Sequence, residues 1–327
     1  MQMHDLIRRS MLVQAVSVAA KLGITDVLDE GPRTADELAT ATGAHGPTLY
    51  RLLRALSGLG LFVEDGQHCF ALTPLGASLR TGEGSIREAA VFFGEPFVWA
   101  AWGNLRHSVM TGEPAFRHTH GVSLFEYARE LDADSAFHAF MTSQSRLQVS
   151  AVLGAYDFSR FGEVVDVGGG QGAFLAAILA ANPEVRGVLY DLPAVVAESE
   201  RLPVAQFGER CRVLGGSFFD SVPEGGDCYV VKLVVHDWDD DRAVELLRNV
   251  RSAIAADGRL LILEFVVPPG NDYHHAKFMD LNMLVLAEGG RERTEAEYAE
   301  LLGAAGFALT GVVSTASPLS ILQSAPI

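Results

Sequence analysis

Near the middle of this 327-residue sequence an acid is followed by four glycines, which together could form a ligand site. The spacing is Asp166-x-Gly168-x-Gly170-x-Gly172, between an apolar segment and a helical pattern. Glycine is needed where the chain turns tightly and where a ligand approaches the backbone. The helix that begins here presents unpaired N–H groups to that ligand. This stretch therefore predicts a nucleotide-type pocket.

Two classes of ligand are compatible with this spacing. Gly168-x-Gly170-x-x-Ala173 satisfies the dinucleotide fingerprint, and Asp191 follows the next strand-like segment, where a ribose-binding acid is expected. Asp166, however, would repel a pyrophosphate, whereas it suits a ligand that carries an ammonium and a sulfonium. Electrostatics therefore favours S-adenosylmethionine over NAD.

A possible general base follows another apolar segment. His236 comes directly after the predicted strand 227–235, and an ordinary imidazole pKa of ~6.5 would leave it largely neutral at pH 7. Its alternative role is to cap the next helix. Glu264 lies in the apolar strand 259–266, and a buried glutamate needs a partner, which His236 would supply.

Other polar clusters resemble metal sites. They are Asp239, Asp240 and Asp241, and the histidine pairs His118/His120 and His274/His275. The three acids precede a helical pattern, where acids stabilise a helix N-terminus. The histidines occur in stretches interpreted as loops, with no further ligands at suitable spacing. We predict that no metal is bound.

The composition limits the class of protein. The net charge of -16 and the pI near 5.0 oppose nucleic acid and acidic membranes as partners. Three separated cysteines fit neither a disulfide framework nor a zinc cluster and indicate a reducing compartment. The apolar stretch near the N-terminus recurs at helical spacing, which predicts an amphipathic packing helix rather than a signal peptide. We expect a cytoplasmic globular protein.

Residues 31–80 follow the order helix, turn, helix and β-hairpin, which describes a winged helix. Thr34 and Glu37 are spaced as a capping box for the first helix. The second helix is leucine-rich and offers only Arg51 and Arg54 as cations. Dimerisation is therefore favoured for this module, with DNA binding as the minority hypothesis.

Between residues 86 and 150 the chain is helical and rich in aromatic residues. Most of them are expected to form a buried layer, and a few to line an apolar cavity for a planar substrate. The candidate substrate-lining residues are Phe140, Met141, Trp238, Met279, Asn282 and Met283.

From residue 163 onward strands and helices alternate, which is typical of a doubly wound α/β sheet. The predicted strands are 163–167, 186–190, 211–214, 227–235, 259–266, 307–314 and 319–323. The predicted helices lie near 171–181, 193–200, 240–255 and 295–305. Ligands bind at the carboxyl ends of the strands in such sheets.

The order of these motifs resembles a known family. The matching segments are Asp166-Val167-Gly168-Gly169-Gly170-Gln171-Gly172, Asp191-Leu192-Pro193, Lys232 with His236-Asp237-Trp238, Glu264, and Gly289-Gly290-Arg291-Glu292-Arg293-Thr294. Over nearly its whole length the chain resembles the S-adenosylmethionine-dependent O-methyltransferases of plant and bacterial small-molecule metabolism, typified by caffeate, isoflavone and hydroxyindole enzymes. The resemblance implies a seven-stranded Rossmann-like methyltransferase domain preceded by an α-helical winged-helix dimerisation domain.

The resemblance also implies a role for each matching residue. It implies that His236 is the general base and that Glu264 and Glu292 support it. The cofactor-binding residues are expected to be Asp166, Gly168, Gly170, Asp191, Leu192, Ser217, Phe218 and Lys232. Ser217 stands where the family usually has an acid. A homodimer is implied, in which the N-terminal domain contributes to the partner's site.

We therefore predict an O-methyltransferase that acts on a small phenolic or polyketide-like secondary metabolite, as in antibiotic biosynthesis. The predicted domains are a winged-helix dimerisation domain at 1–90, a helical linker and substrate-lining layer at 91–155, and a catalytic domain at 156–327. An NAD-linked oxidoreductase and a winged-helix regulator that responds to a small molecule are the alternatives.

Overall fold

A computed structural model describes residues 3–82, 84–132 and 135–327. The chain divides into two compact units. One consists of Met1–Gly103 with Phe125–Gln144, and the other of Asn104–Leu124 with Ser145–Ile327.

The elements of the amino-terminal half are mainly helical. In chain order they are α1 (Met3–Lys21), α2 (Ile24–Asp29), β1 (Arg33–Thr34), α3 (Ala35–Thr42), α4 (Gly46–Ser57), β2 (Phe62–Glu64), β3 (Cys69–Leu72), α5 (Pro74–Ala77), α6 (Arg87–Phe93), α7 (Pro96–Gly103), α8 (Leu105–Thr111), α9 (Ala115–His120), α10 (Leu124–Arg129) and α11 (Ala136–Ala155).

The remaining elements alternate between strand and helix. They are β4 (Glu163–Val167), α12 (Ala173–Ala181), β5 (Arg186–Asp191), β6 (Cys211–Gly215), β7 (Cys228–Lys232), α13 (Asp240–Ala253), β8 (Arg259–Glu264), β9 (Val266–Val267), α14 (His275–Leu286), β10 (Arg293–Thr294), α15 (Glu295–Ala304), β11 (Phe307–Ser314) and β12 (Ser320–Pro326), with 3₁₀ turns at Ser199–Arg201, Pro203–Arg210 and Val235–Asp237.

The first unit contains the predicted pair of helices and the hairpin. Thr34 caps α3, and its backbone N–H donates to Glu37, so the capping box is confirmed. Strands β2 and β3 pair antiparallel, and β1 adds a third, unpredicted strand beside β3. The buried core of these elements includes Ile24, Leu38, Leu49, Leu53, Leu56, Phe62 and Phe70.

Helix α1 forms where it was predicted, but the amino-terminal part of its apolar stripe is exposed in the single chain. The side chains of Met3, Ile7 and Met11 are 68%, 62% and 68% exposed. Helix α1 packs against α6 near its carboxyl end, where Ala19 and Ala20 are buried. Ala15 and Leu22 of the predicted stripe pack against the core of the first unit, so the expectation of a packing helix is confirmed for its carboxyl-terminal part alone.

The second unit is built on a seven-stranded sheet in the order β11-β12-β8-β7-β4-β5-β6. Strand β12 runs antiparallel to both neighbours, and the other pairs are parallel. Helices α13 and α15 cover one face, and α12 with the end of α11 covers the other. From β4 the chain adds strands on one side and then returns to add β7 on the other. This reversal opens a crevice at the carboxyl ends of β4 and β7, where ligands bind in such sheets.

Some predicted bounds are wrong for local reasons. Strand β7 ends at Lys232 rather than 235, because Leu233 adopts a left-handed backbone conformation with φ of 52°. The helix predicted at 193–200 is replaced by turns and the 3₁₀ segment Ser199–Arg201. An isolated eight-residue helix is marginal without packing.

The histidine pairs also differ from expectation, since they do not lie in loops. His118 and His120 belong to α9, and His275 begins α14, with His274 as its N-cap. Helix α14 was not predicted, because its apolar residues surround the helix instead of forming one stripe.

Within the described residues, no helix is both long and apolar enough to span a bilayer.

Candidate active site

The glycine turn after β4 is packed on one side and open on the other. Gly168, Gly170 and Gly172 have φ angles of 70°, 58° and 78°, which residues with side chains rarely adopt. A Cβ added to Gly168 would lie 2.9 Å from Cγ2 of Val234, whereas one added to Gly170 would meet no atom within 4 Å. A ligand can therefore approach the backbone at Gly170.

Asp191, at the end of β5, fastens this turn. Its Oδ2 accepts the N–H of Gly170 at 2.8 Å, and its Oδ1 accepts the N–H of Leu192 at 2.7 Å. Each carboxylate oxygen has a second lone pair and can still accept a ligand hydroxyl. The sequence predicted the acid but not its bond to the turn.

Asp166 is 1% exposed, and its Oδ2 has no hydrogen-bond partner within the described part of the chain. Burial raises the pKa of this carboxyl to about 7, while Lys232 acts to lower it and Asp191 to raise it. Burial lowers the pKa of Lys232, whose Nζ donates to Oε1 of Gln148 at 3.5 Å. A buried, unsatisfied carboxylate oxygen beside the open turn fits a cationic ligand.

The loop after β6 brings aromatic residues to the same turn. Oγ of Ser217 accepts the N–H of Phe219 at 3.2 Å, so this hydroxyl closes a local turn. The Phe218 ring lies 3.5 Å from the position that a Gly168 Cβ would take. Trp238, predicted to line the substrate cavity, packs edge-on against Phe219 at a centroid distance of 4.7 Å. The Trp238 ring also lies edge-on to that of Phe218, a predicted cofactor residue, at a centroid distance of 6.2 Å, and its predicted role in substrate binding stays a prediction.

The histidine is carried by a short turn that leaves the sheet abruptly. Leu233 donates its N–H to the carbonyl of Leu263 at 3.0 Å while in the left-handed conformation. This conformation costs about 1 kcal/mol or more in a non-glycine residue. It directs the chain into the 3₁₀ turn Val235–Asp237, where His236 is 8% exposed. His236 therefore lies just beyond the carboxyl end of β7.

Two buried glutamates hold the imidazole. Nδ1 of His236 lies 3.0 Å from Oε1 of Glu292 and 3.4 Å from Oε2 of Glu264. Oε1 of Glu264 also accepts the N–H groups of Val234 at 3.1 Å and His236 at 3.2 Å. Nε2 of His236 lies 3.7 Å from Oδ1 of Asp237. With its proton on Nδ1, the ring is oriented by the glutamates and can accept a proton at Nε2.

The protonation of this cluster differs from the sequence-based expectation. Burial acts to lower the pKa of His236, but the carboxylates of Glu264, Glu292 and Asp237 outweigh it and raise that pKa to about 10. Burial raises the pKa of Glu264 to about 7, while His236 acts to lower it and Glu292 to raise it. The ordinary pKa of histidine predicted a largely neutral imidazole at pH 7, whereas the surrounding carboxylates favour the protonated form.

The same three residues are the one group in the described ranges whose donor atoms could hold a metal ion. The relevant atoms of His236, Glu264 and Glu292 lie within 4.8 Å of one another. A proton on Nδ1 of His236 can take the place of a metal ion in this arrangement. That no metal is bound therefore stays a prediction.

Among the acids expected to cap α13, Asp239 accepts the N–H of Arg242 at 2.9 Å. Asp240 instead binds the buried Arg293, to which sequence reasoning assigned no role.

The candidate acceptor residues lie in both units. Met279, Asn282 and Met283 share one side of α14 in the second unit, and the last two are 9% and 7% exposed. Phe140 and Met141 lie in the first unit. The Phe140 ring stacks on Phe92 at 4.5 Å, and Met141 is 47% exposed.

The fold and the site together define the class of protein. A doubly wound sheet with a glycine turn after β4, an acid at the end of β5 and a buried histidine after β7 is that of an S-adenosylmethionine-dependent methyltransferase. Residues 102–308 match the O-methyltransferase domain, and residues 4–82 match the O-methyltransferase dimerisation domain. The chain belongs to the O-methyltransferase family. The predicted family, fold class and cofactor are therefore confirmed.

Similar proteins include methyltransferases that are named for a phenazine and for a riboflavin derivative. The phenazine O-methyltransferase PhzM of Lysobacter antibioticus is 45% identical over 97% of this chain and 93% of its own length. The 8-amino-8-demethylriboflavin N,N-dimethyltransferase of Streptomyces davaonensis is 42% identical over 90% of this chain and 86% of its own. The S-adenosylhomocysteine-bound structure of CalO1, a methyltransferase in calicheamicin biosynthesis, is 36% identical, with a TM-score of 0.90 over 99% of this chain and 97% of that one.

Proposed function

We propose that this enzyme methylates a hydroxyl group on a small, planar, fused-ring aromatic metabolite, with His236 as the general base. The observation that carries the proposal is the buried imidazole held by Glu292 and Glu264 at 3.0 and 3.4 Å beside the crevice. The similarity to enzymes acting on a phenazine and on a flavin supports a multi-ring aromatic acceptor of the kind made in antibiotic pathways.

The cofactor residues are proposed from the geometry of the turn. When bound, S-adenosylmethionine supplies a methyl group activated by a sulfonium. Gly168 and Gly170 form the turn around its methionine part, for which the open side at Gly170 leaves room, and the Asp166 carboxylate balances its positive charge. Asp191 accepts the ribose hydroxyls. Further proposed contacts are made by Leu192, Ser217, Phe218 and Lys232.

The acceptor side has two tasks, alignment and proton removal. Met279, Asn282 and Met283 on α14 are proposed to align the ring, and a role for Phe140 and Met141 in acceptor binding stays a separate prediction. The neutral form of His236, with its proton on Nδ1, removes the hydroxyl proton through Nε2, and Glu264 and Glu292 stabilise the resulting imidazolium.

Replacing Gly170 with alanine is expected to weaken S-adenosylhomocysteine binding about tenfold or more, as measured by calorimetry. The methyl group would enter the open side of the turn, where the cofactor is proposed to lie. Gly43 is the matched control, since its φ of 71° and empty surroundings give the same backbone strain in the first unit. Gly43→Ala should lower the melting temperature similarly and leave affinity unchanged. Equal affinities of the two variants would contradict the proposal.

A transfer assay with methyl-labelled cofactor tests the acceptor class. We expect labelled ether from hydroxylated phenazines or naphthoates, and activity that survives dialysis against EDTA. Binding of NAD(H) without S-adenosylhomocysteine would favour the oxidoreductase alternative, and salt-dependent retardation of DNA would favour the regulator. Failure of every aromatic hydroxyl, with methylation of an aromatic amine, would overturn hydroxyl specificity.

Amine methylation is the second candidate, favoured by the similarity to an N,N-dimethyltransferase. A neutral aromatic amine is already nucleophilic and need not lose a proton before attack. His236→Gln should therefore spare amine methylation and abolish hydroxyl methylation, which separates the two reactions in one variant.

We further infer a cytoplasmic homodimer that forms through the winged-helix N-terminal region. The match to a dimerisation domain and the exposed apolar side chains of Met3, Ile7 and Met11 support this assembly. The functional division into 1–90, 91–155 and 156–327 stays a prediction. Light scattering should give twice the chain mass of 35.1 kDa, and a monomer would contradict the assembly.

A further inference from the structure

A buried arginine lies behind the catalytic turn and takes no part in the chemistry proposed above. Arg293 is 0% exposed and is among the largest fully buried side chains of the described chain. Its Nη1 donates to the carbonyl of Val235 at 3.2 Å, and its Nη2 donates to the carbonyl of Trp238 at 2.8 Å. These carbonyls stand on either side of His236 and Asp237. One planar guanidinium therefore fixes both ends of the segment that carries the base.

The charge of this guanidinium is balanced from the solvent side. Nε and Nη2 of Arg293 donate to Oδ1 of Asp240 at 2.9 and 2.7 Å. The Asp240 side chain is 59% exposed and belongs to the first residue of α13. A buried cation that is both paired and hydrogen-bonded avoids most of the desolvation penalty. Arg293 can therefore stay in this position as a permanent charge.

Arg293 also follows Glu292 directly in the chain, which couples the turn to the carboxylate on the imidazole. It pairs with Val266 in the short β9–β10 ladder, next to the end of β8. The Glu292 N–H donates to Oδ1 of Asp280 at 3.0 Å, which fixes the same segment from α14. The distance between Nδ1 of His236 and Oε1 of Glu292 is therefore set by a backbone held at several points.

We propose that Arg293 is a positioning residue, which sets the geometry between His236 and Glu292 without touching the acceptor. The inference rests on the proposed role of His236. A lysine in its place keeps the charge, but a single ammonium cannot reproduce the planar fork that reaches two carbonyls and a carboxylate. We therefore expect Arg293→Lys to disturb the geometry of the turn while leaving its net charge unchanged.

Arg293→Lys is expected to lower kcat for hydroxyl methylation about 10- to 100-fold, because small misplacements of a catalytic group are costly. The dissociation constant of S-adenosylhomocysteine should stay within about twofold of the wild type. The rising limb of the pH–rate profile should shift to lower pH, since a looser contact with Glu292 stabilises the imidazolium less. A merely structural role would not move that limb.

Arg210→Lys is the matched control. Its guanidinium donates to the carbonyls of Leu179, Asn182 and Val185 at 2.7, 3.0 and 3.1 Å, so it too fastens backbone, but away from the proposed site. It should cost comparable thermal stability and leave kcat and the pH profile unchanged. Arg293→Met should behave as Arg293→Lys or worse. Should it fail to fold, the lysine variant and Asp240→Asn still test the inference.

The results separate this inference from the proposed function. If His236→Gln is inactive and Arg293→Lys matches Arg210→Lys in kcat and pH profile, the positioning role is overturned. If Arg293→Lys loses cofactor affinity in proportion to kcat, the residue supports the fold generally and the inference is again overturned. If His236→Gln keeps full turnover, the proposed function itself fails.

Discussion

Replacing His236 with glutamine is expected to lower kcat for hydroxyl methylation by about 10²- to 10⁴-fold, the usual contribution of a general base. The variant loses the group that receives the acceptor proton, while the glycine turn and Asp191 are untouched. Calorimetry should therefore show unchanged binding of S-adenosylhomocysteine. Turnover within a few-fold of the wild type would remove His236 from the mechanism.

The stability of this variant must be measured alongside its activity. Glu264 and Glu292 are both buried, and each has a carboxylate oxygen without a hydrogen-bond partner in the described structure. Removing the imidazolium leaves these charges uncompensated, which typically costs about 3–5 kcal/mol of unfolding free energy. The double variant His236→Gln with Glu292→Gln removes one charge and should recover part of the melting temperature. It should stay inactive, which shows that lost activity is not lost folding.

The second large effect concerns pH. We expect kcat/KM for a phenolic acceptor to rise about tenfold per pH unit above pH 7 until a plateau near the pKa of about 10 that the carboxylates impose on His236. The rate rises with pH because the reactive base is neutral imidazole. This form is the minor species below the pKa of His236, and its fraction increases as the pH rises. Between pH 7 and 9 the gain is therefore about a hundredfold. Initial rates with labelled cofactor measure it.

An ordinary histidine would give a different profile. With a pKa of ~6.5 it would be neutral throughout this range, so the rate would not rise until the phenol itself ionised near ~10. Full proton transfer from phenol to that histidine would cost about 5 kcal/mol, whereas a base with a matched pKa removes most of this difference. A flat profile from pH 7 to 9 would contradict the electrostatics of the cluster.

The reactive complex has one proton fewer than the complex of the imidazolium with a neutral phenol. The lost proton can come from His236 or from the phenol. An acceptor with a more acidic phenol separates the two cases. The rising limb of the pH–rate profile follows the pKa of the phenol only if the phenol is the group that ionises. The His236→Gln variant supplies the control, because any pH dependence that it retains belongs to the acceptor.

The sequence by itself determined the features that depend on short segments. The left-handed turn at Gly168 and Gly170 needs glycine, and alternation of strand and helix requires a doubly wound sheet. The acids Asp166 and Asp191 end consecutive strands, so their common edge could be predicted. His236 and Glu264 could be predicted as neighbours, because a glutamate inside an apolar strand needs a partner and His236 follows the preceding strand.

Only the tertiary structure decided the properties that depend on distant contacts. The carboxylates of Glu264, Glu292 and Asp237 raise the pKa of His236 despite its burial, and so favour the protonated form that the sequence did not predict. Leu233 adopts its left-handed conformation inside an apolar run that reads as uninterrupted strand. Arg293 reaches carbonyls about 55 residues away in the chain. Backbone carbonyls are the same in every residue, so no pattern of side chains reveals which of them a buried guanidinium will find.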